Sequence, residues 1–567
     1  MSAPLATGAP GTSTTATSAA APEPFNAATW LLHGQAAADP RRCALRVAGA
    51  DEPGETISYG ELSSLVRRTA AALVAAGVRP EERLLLCMAD TPELVALFLA
   101  GLHVGAVPVP VNTMLTGKDL VVLARDSRAR MLAVTSEFAE AAVAPAASPD
   151  LRDVVVIGAE RLPAAVPARV TDWDSFLAGG DADPDAQRAT AEPSPTVADS
   201  PGFWLYTSGT TGTPKAAMHR HSSLRSTAET YARDVLGIRP DDVCFSAAKL
   251  FFAYGLGNSL TFPFSVGGGT VLDRNRATAG RAAEIVRRYR PTLFFGVPVV
   301  YRGLLEADLP ADTFASVRLC ASAGEALPAE LCRRFTQRFG VEVLDGIGST
   351  EALHIFLSNR PGRVRPGTTG EPVAGYDLRL EDDEGRAVPD GTPGNLFVRG
   401  ESNATGYWCR TEATRRVFRG PWLRTGDTYV RDADGYYTPM GRSDDVLKAG
   451  GIWVSPAEVE DRLGQHEAVA QAAVVGIPDA AGLDRLVACV VLRPGHAVEA
   501  AELIAFCRQG LAAFKRPREV LVLDTLPITA TGKVQRFRLR EMAVARLAAV
   551  PLPRSPIEAA APAQPRE

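Results

Sequence analysis

The sequence predicts an α/β chain whose large N-terminal domain holds parallel, helix-covered sheets and a β-rich subdomain, with a smaller α+β domain behind it. Three observations carry this. Between residues 56 and 295, stretches of helical apolar spacing alternate with short, wholly apolar runs, the pattern of strands buried on both faces by crossover helices. Over residues 367–437 the texture changes to short alternating runs separated by Asp, Gly and Pro turns, the pattern of antiparallel sheet. After residue 442 a unit of roughly a hundred residues combines two helix-like and three strand-like segments. A chain of 567 residues also exceeds what one ordinary core holds together, so more than one domain is required.

Taken in order, residues 1–24 are rich in Ala, Thr, Ser, Gly and Pro and carry no basic residue. They read as a disordered tail, neither a secretory n-region nor an Arg-rich transit peptide. Leu62, Leu65, Val66, Ala70, Leu73 and Val74 recur at helical spacing within 56–78, and the apolar run 84–87 follows Gly77 as a strand. The same alternation returns at 94–102 with 106–109, and at 282–290 with 292–295. His103, Pro108 and Pro110 break the apolar stretch 92–111, which fits a helix and a strand better than a membrane span. In the β-rich stretch, strands are predicted at 376–380 and 395–399, with turns at 382–385, 389–394 and 432–435. The last unit is predicted to have helices at 455–463 and 500–511 and strands at 470–477, 486–492 and 519–523. Residues 551–567 return to a loose tail, giving domains at 25–441 and 442–550.

Composition excludes several classes of function. Hydrophobic residues are 46% and charged residues 22%, the balance of a globular chain. Sixty basic and 65 acidic residues give a net charge of -5, with none of the basic excess that nucleic-acid binding needs. Eight cysteines without a CxxC pair (Cys43, Cys87, Cys244, Cys320, Cys332, Cys409, Cys489, Cys507) read as buried thiols of a cytoplasmic protein, not as a disulfide frame or a zinc site.

The stretch YTSGTTGTPK, residues 206–215, follows an apolar run. Its hydroxyls (Ser208, Thr210, Thr211), its glycines (Gly209, Gly212) and Lys215 suit a loop that wraps phosphate oxygens. The GxxxxGK[ST] spacing of a Walker loop is absent. Five further motifs follow in order: SAGEALP (322–328), DGIGSTE (345–351), WLRTGD (422–427), GRSDDVLKAGG (441–451) and PITATGK (527–533).

Together these six motifs resemble the signature set of the adenylate-forming superfamily, which includes acyl-CoA synthetases, adenylation domains and luciferase, over roughly residues 25–550. The resemblance implies an N-terminal domain with two helix-covered sheets and a C-terminal domain that moves on a hinge at Asp444. It implies ATP and AMP contacts from Thr207, Ser208, Gly209, Gly212, Gly324, Glu325, Ala326, Asp345, Gly346, Ile347, Thr350, Asp427 and Arg442. Glu351 would ligate Mg²⁺ carried on ATP, as a hard carboxylate can. Thr210, Thr211 and Lys215 would join it in charge neutralisation, with Lys533 swinging in against the reacting carboxylate and phosphate. Gly450 and Gly451 would line the CoA entry.

FFAYGLGN (251–258) together with GSTEALHIFLSN (348–359) resembles the benzoate–CoA ligases. By that resemblance Ala253, Tyr254, Gly348, His354 and Ile355 contact an aryl acid. The expected activity is ATP-dependent conversion of benzoate or a related aryl acid to aryl-AMP and then to the CoA thioester. The alternative is a stand-alone adenylation enzyme that loads a carrier protein. The expected partners are small molecules only, with no nucleic acid or membrane, in a monomer or homodimer.

Overall fold

The computed structural model describes residues 22–49, 54–142, 145, 148–158, 167–208, 214–442, 447–449, 452–454, 456–478, 484–528 and 534–548. Among these, a five-stranded sheet runs in the order Val107–Pro110, Arg83–Cys87, Ala129–Thr135, Asp153–Ile157, Arg169–Asp172, every neighbour parallel. Pro108 and Pro110 cannot donate to a ladder, and they stand on the edge strand. The helix Pro92–His103 that leads into this strand begins with Thr91 as N-cap and Pro92 in its first turn. Apart from Glu93, all of its residues are buried, as expected of a helix apolar on every side.

A nine-stranded sheet lies beside the first, in the order Glu371–Pro372, Ile355–Ser358, Val343–Gly348, Leu319–Ser322, Leu293–Gly296, Val243–Ser246, Gly269–Leu272, Cys43–Val47, Thr56–Ser58. Its six central strands are parallel, and its outer strands pair antiparallel. One core joins the two sheets through Leu84, Leu86 and Ala133 on one side, Leu45 and Leu272 on the other, and the helices Tyr59–Ala75 and Pro92–His103. Phe203 and Leu205, from the hairpin formed by Pro201–Ser208 and Pro214–Arg220, enter the same core.

The expected elements are present, with three differences. Residues 56–58, predicted to open a helix, form a strand against Cys43–Val47. The helix begins at Tyr59 because Ser58 and Glu61 close a capping box: the Ser58 hydroxyl accepts from Glu61 N at 3.2 Å, and the Glu61 carboxylate accepts from Ser58 N at 2.8 Å. A further helix, Arg536–Ala548, has no counterpart among the predicted elements. It buries Leu539 and Ala543 but exposes Phe537, Met542 and Val544, so its apolar face is not marked by spacing alone. Cys409, expected to be buried, is exposed.

The β-rich part is antiparallel throughout: Asp377–Glu381, Gly394–Arg399 and Trp422–Arg431 pair in turn, and Tyr437–Arg442 closes on Trp422–Arg431. In the last unit Val469–Pro478, Asp484–Leu492 and Glu519–Val522 form one sheet against the helices Pro456–Gly464 and Ala500–Arg508. No helix among the described residues is long and apolar enough to cross a membrane.

Burial also makes the fold sensitive to acid. Desolvation holds the imidazoles of His33, His219 and His221 down to about 4 and that of His354 down to about 3. Since the unfolded chain protonates these rings near pH 6.5, their contribution is complete above that value and is lost as pH falls toward 4. Asp90, which burial pushes up to about 6, and Asp345, raised well above the carboxylate range, bind protons in the folded state and oppose the trend. The lowered histidines, His103 among them, outnumber the raised carboxyls, so the unfolded state binds more protons near pH 5 and stability falls as the pH falls there. Urea midpoints are expected to fall steeply between pH 6.5 and 4.5; a flat profile there would contradict neutral buried histidines.

Candidate active site

The hairpin that carries the phosphate-loop motif is fixed on both sides of its tip. Thr207 stands opposite Lys215 across the two strands. At its base, Tyr206 donates to Asp126 Oδ2 at 2.8 Å, while Asp126 also receives Arg410 at 2.5 Å and, on its carbonyl, Trp408 Nε1 at 2.9 Å. The rings of Trp204 and Trp408 lie 4.8 Å apart, with the Arg83 guanidinium 5.5 Å from the first and 5.6 Å from the second. Asp126 thus ties the loop's stem to the segment around Tyr407, a link across most of the chain that spacing cannot reveal. Gly209, Thr210, Thr211 and Gly212 lie outside the described residues, and for Ser208 only the backbone is described.

Residues 345–355 form one strand, a turn and the start of a second strand. Asp345 ends the parallel part of the sheet opposite Ser322. Its side chain is buried, Oδ1 has no hydrogen-bond partner among the described residues, and desolvation raises its pKa well above the carboxylate range against the smaller pull of the Leu327 and Gly346 backbone N–H groups. Gly346 and Ile347 pair antiparallel with Ser358 and Leu357. The turn is held by His219 Nε2, which donates to the Thr350 carbonyl at 2.9 Å, and by Ala404 N, which donates to the Glu351 carbonyl at 2.7 Å. Leu353, buried in the core, takes a left-handed φ of 68°, a conformation that costs about 1–2 kcal/mol and persists because packing fixes both sides of it. Glu351 is half-buried, and its Oε1 accepts from the Tyr407 hydroxyl at 2.6 Å.

Just past this turn, His354 sits in a cage of rings: Phe262 at 4.5 Å, Tyr231 at 5.3 Å and Tyr254 at 5.4 Å between centroids. Its Nε2 donates to the Tyr254 carbonyl at 3.4 Å, leaving Nδ1 buried as a bare acceptor. The Tyr254 hydroxyl donates to the Ala321 carbonyl at 3.1 Å. The Tyr254 hydroxyl and the His354 Nε2 are thus both committed to backbone carbonyls, which fixes the orientation of the two rings. Two glycines make the cage possible. A Cβ on Gly257 would lie 2.4 Å from the His354 ring, and one on Gly348 2.4 Å from the His354 carbonyl. Ala253, Tyr254, Gly348, His354 and Ile355 are therefore brought together, with Tyr231, Phe262 and Gly257 as members that sequence reasoning missed. Gly257 begins a π-helical turn, Gly257–Thr261.

Gly324, Glu325 and Ala326 form an exposed turn, with Gly324 at a φ of 93°, directly after the strand Leu319–Ser322 that neighbours Asp345. Asp427 and Arg442, two of the expected nucleotide contacts, are cross-strand partners. Asp444, Gly450, Gly451 and Lys533 lie outside the described residues, and the Arg442 side chain is not described.

The family model described as AMP-binding enzyme matches residues 32–408, and that for the AMP-binding enzyme C-terminal domain matches 458–533. A benzoate–CoA ligase of Thauera aromatica is 45% identical over 86% of this chain and 91% of its own length. A 4-hydroxybenzoate–CoA/benzoate–CoA ligase of Rhodopseudomonas palustris is 42% identical over 87% and 90%. Among solved structures, a benzoate CoA ligase from Burkholderia xenovorans LB400 superposes with a TM-score of 0.81 at 44% identity, covering 91% of this chain and all of that one.

Proposed function

Because the chain belongs to the adenylate-forming AMP-binding enzyme family, we propose that it is a benzoate–CoA ligase, converting benzoate, ATP and CoA to benzoyl-CoA, AMP and pyrophosphate. The observation that carries this reading is the continuity of residues 345–355. One segment bears a buried acceptor at Asp345, a tethered carboxylate at Glu351 and the ring-lined cage at His354, so base, triphosphate and aryl acid can lie in sequence along it.

In the first half-reaction the benzoate carboxylate attacks the α-phosphate and pyrophosphate leaves. In the second, the CoA thiol attacks the mixed anhydride and AMP leaves. No protein nucleophile is needed; positioning and charge neutralisation supply the rate. Asp345 Oδ1, unpaired and buried, is where the exocyclic amino group of adenine would find an acceptor, with Gly346, Ile347, Gly324, Glu325 and Ala326 contributing mainly backbone. Asp427 and Arg442 would hold the ribose. Thr207, Ser208, Gly209, Thr210, Thr211, Gly212 and Lys215 would wrap the phosphates, and Thr350 would complete that wall.

Glu351 suits Mg²⁺, because Tyr407 occupies Oε1 and orients the carboxylate, and this ion is commonly held by one or two carboxylates plus substrate phosphates. When bound, Mg²⁺ would neutralise phosphate charge. Ala253, Tyr254, Gly348, His354 and Ile355 would seat the aryl ring. Rotation at Asp444 would exchange Lys533 for the glycine pair Gly450 and Gly451, opening the site to CoA. The reading extends to a cytoplasmic enzyme, monomeric or homodimeric.

The test is a panel of aryl and short aliphatic acids assayed for CoA-dependent AMP formation. Benzoate and hydroxybenzoates should be the best substrates. Efficient use of acetate with benzoates ignored would overturn the aryl assignment, and faster transfer to a holo carrier protein than to free CoA would favour the adenylation enzyme.

A further inference from the structure

Tyr407 stands between the two charged groups assigned to the triphosphate. Its hydroxyl donates to Glu351 Oε1 at 2.6 Å, and the Lys215 ammonium lies 5.6 Å from the centroid of its ring. Lys215 and Glu351 have opposite charges and face one small region, yet no ion pair joins them among the described residues. A hydrogen bond to an ionised carboxylate is short and strong, as this one is, and an ammonium over a phenol face is attracted without being neutralised. The ring therefore holds both charges apart and leaves each available to a ligand.

The backbone makes Tyr407 rigid. Tyr407 N donates to Thr414 Oγ1 at 3.0 Å, the residue bridges Ala217 of the phosphate-loop hairpin, and Phe418 meets its ring edge-on at 5.4 Å. Gly406, at a φ of 146°, permits the bend before it, where a Cβ would press on Thr414.

We propose that Tyr407 is a positioning residue: by holding Oε1 it orients the Glu351 carboxylate toward the metal that accompanies ATP and keeps Lys215 from quenching it. This rests on the reading of Glu351 and Lys215 as nucleotide contacts. The consequence is specific, because the hydroxyl acts only through Glu351 while the ring acts on both charges.

The test is equilibrium binding of ATP by calorimetry, with magnesium and with chelator, in the full-length enzyme. In Tyr407→Phe the tightening of ATP binding by magnesium should shrink about tenfold, the scale of a lost hydrogen bond to a charged group, while affinity without metal stays within about twofold. In a Glu351→Gln background the same Phe substitution should add nothing further, since the cycle isolates the pair. Tyr407→Leu, which lets Lys215 collapse onto Glu351, should weaken ATP binding with and without metal. Full magnesium tightening in Tyr407→Phe, or equal losses with and without metal, would overturn the role of Tyr407 alone. A wild-type enzyme whose ATP affinity ignores magnesium would overturn the assignment of Glu351 together with it.

Discussion

Lys533→Ala is expected to slow benzoyl-AMP formation by two to three orders of magnitude while leaving thioester formation from preformed benzoyl-AMP and CoA within about threefold. The attack of a carboxylate on the α-phosphate crowds negative charge onto one phosphorus, and an ammonium placed there in a water-poor site contributes on the scale of an oxyanion-hole donor, about 10²–10³ in rate. In the thioester step the sulfur attacks the carbonyl carbon, the thiol gives up its proton and the C–O bond to AMP breaks, so no bond to phosphorus forms and the crowded pentacovalent centre is absent. The proposed rotation at Asp444 would also withdraw that Lys before the second step. Pyrophosphate release measures the first step, and synthetic benzoyl-AMP with CoA measures the second. Equal losses in both would remove Lys533 from its assigned role. Lys533→Arg, which keeps the charge but changes its shape, should recover only part of the rate.

Gly348→Ala is expected to lower kcat/KM for benzoate by about a hundredfold, with a smaller loss of ATP affinity because Gly346, Ile347 and Glu351 flank the same strand and turn. The added Cβ would meet backbone: the His354 carbonyl oxygen at 2.4 Å, its carbon at 2.6 Å and Ile355 N at 2.9 Å. Backbone on a paired strand cannot step aside as a side chain can, so Val343–Gly348 and Ile355–Ser358 must part and carry His354 and Ile355 with them. A displacement of about 1 Å at reacting groups costs on the order of 10² in rate. Gly257→Ala offers the graded comparison, since its Cβ meets the ring of His354, at Cδ2 2.4 Å and Nε2 2.7 Å, which can turn within its cage at smaller cost. A Gly348→Ala enzyme with unchanged benzoate kinetics would show that the cage around His354 does not seat the substrate.

The six motifs are legible in the sequence because the chemistry they suggest is local. A loop that wraps phosphate needs glycines and hydroxyls in consecutive positions, so YTSGTTGTPK carries its chemistry in its own spelling. The strand and helix alternation was legible for the same reason, since a strand buried on both faces must be apolar throughout. Spacing alone opens the helix at residue 56; the Ser58 and Glu61 capping box sets its start three residues later, at Tyr59. Helix Arg536–Ala548 leaves no apolar stripe to read, since among its described side chains only Leu539 and Ala543 are buried.

The sequence by itself determined the family, the order of its two matched units and the residue types at the proposed nucleotide site, because each is written in short contiguous strings. Only the tertiary structure decided what surrounds those strings: Asp126 under the phosphate-loop stem, Tyr407 between Lys215 and Glu351, and Tyr231, Phe262 and Gly257 around His354. These contacts join residues tens to hundreds of positions apart, and nothing in local spacing distinguishes a tyrosine that orients a carboxylate from one that fills a core. The distinction arises when folding sets a hydroxyl 2.6 Å from a charged oxygen, because hydrogen bonding depends on distance and direction, not on sequence order.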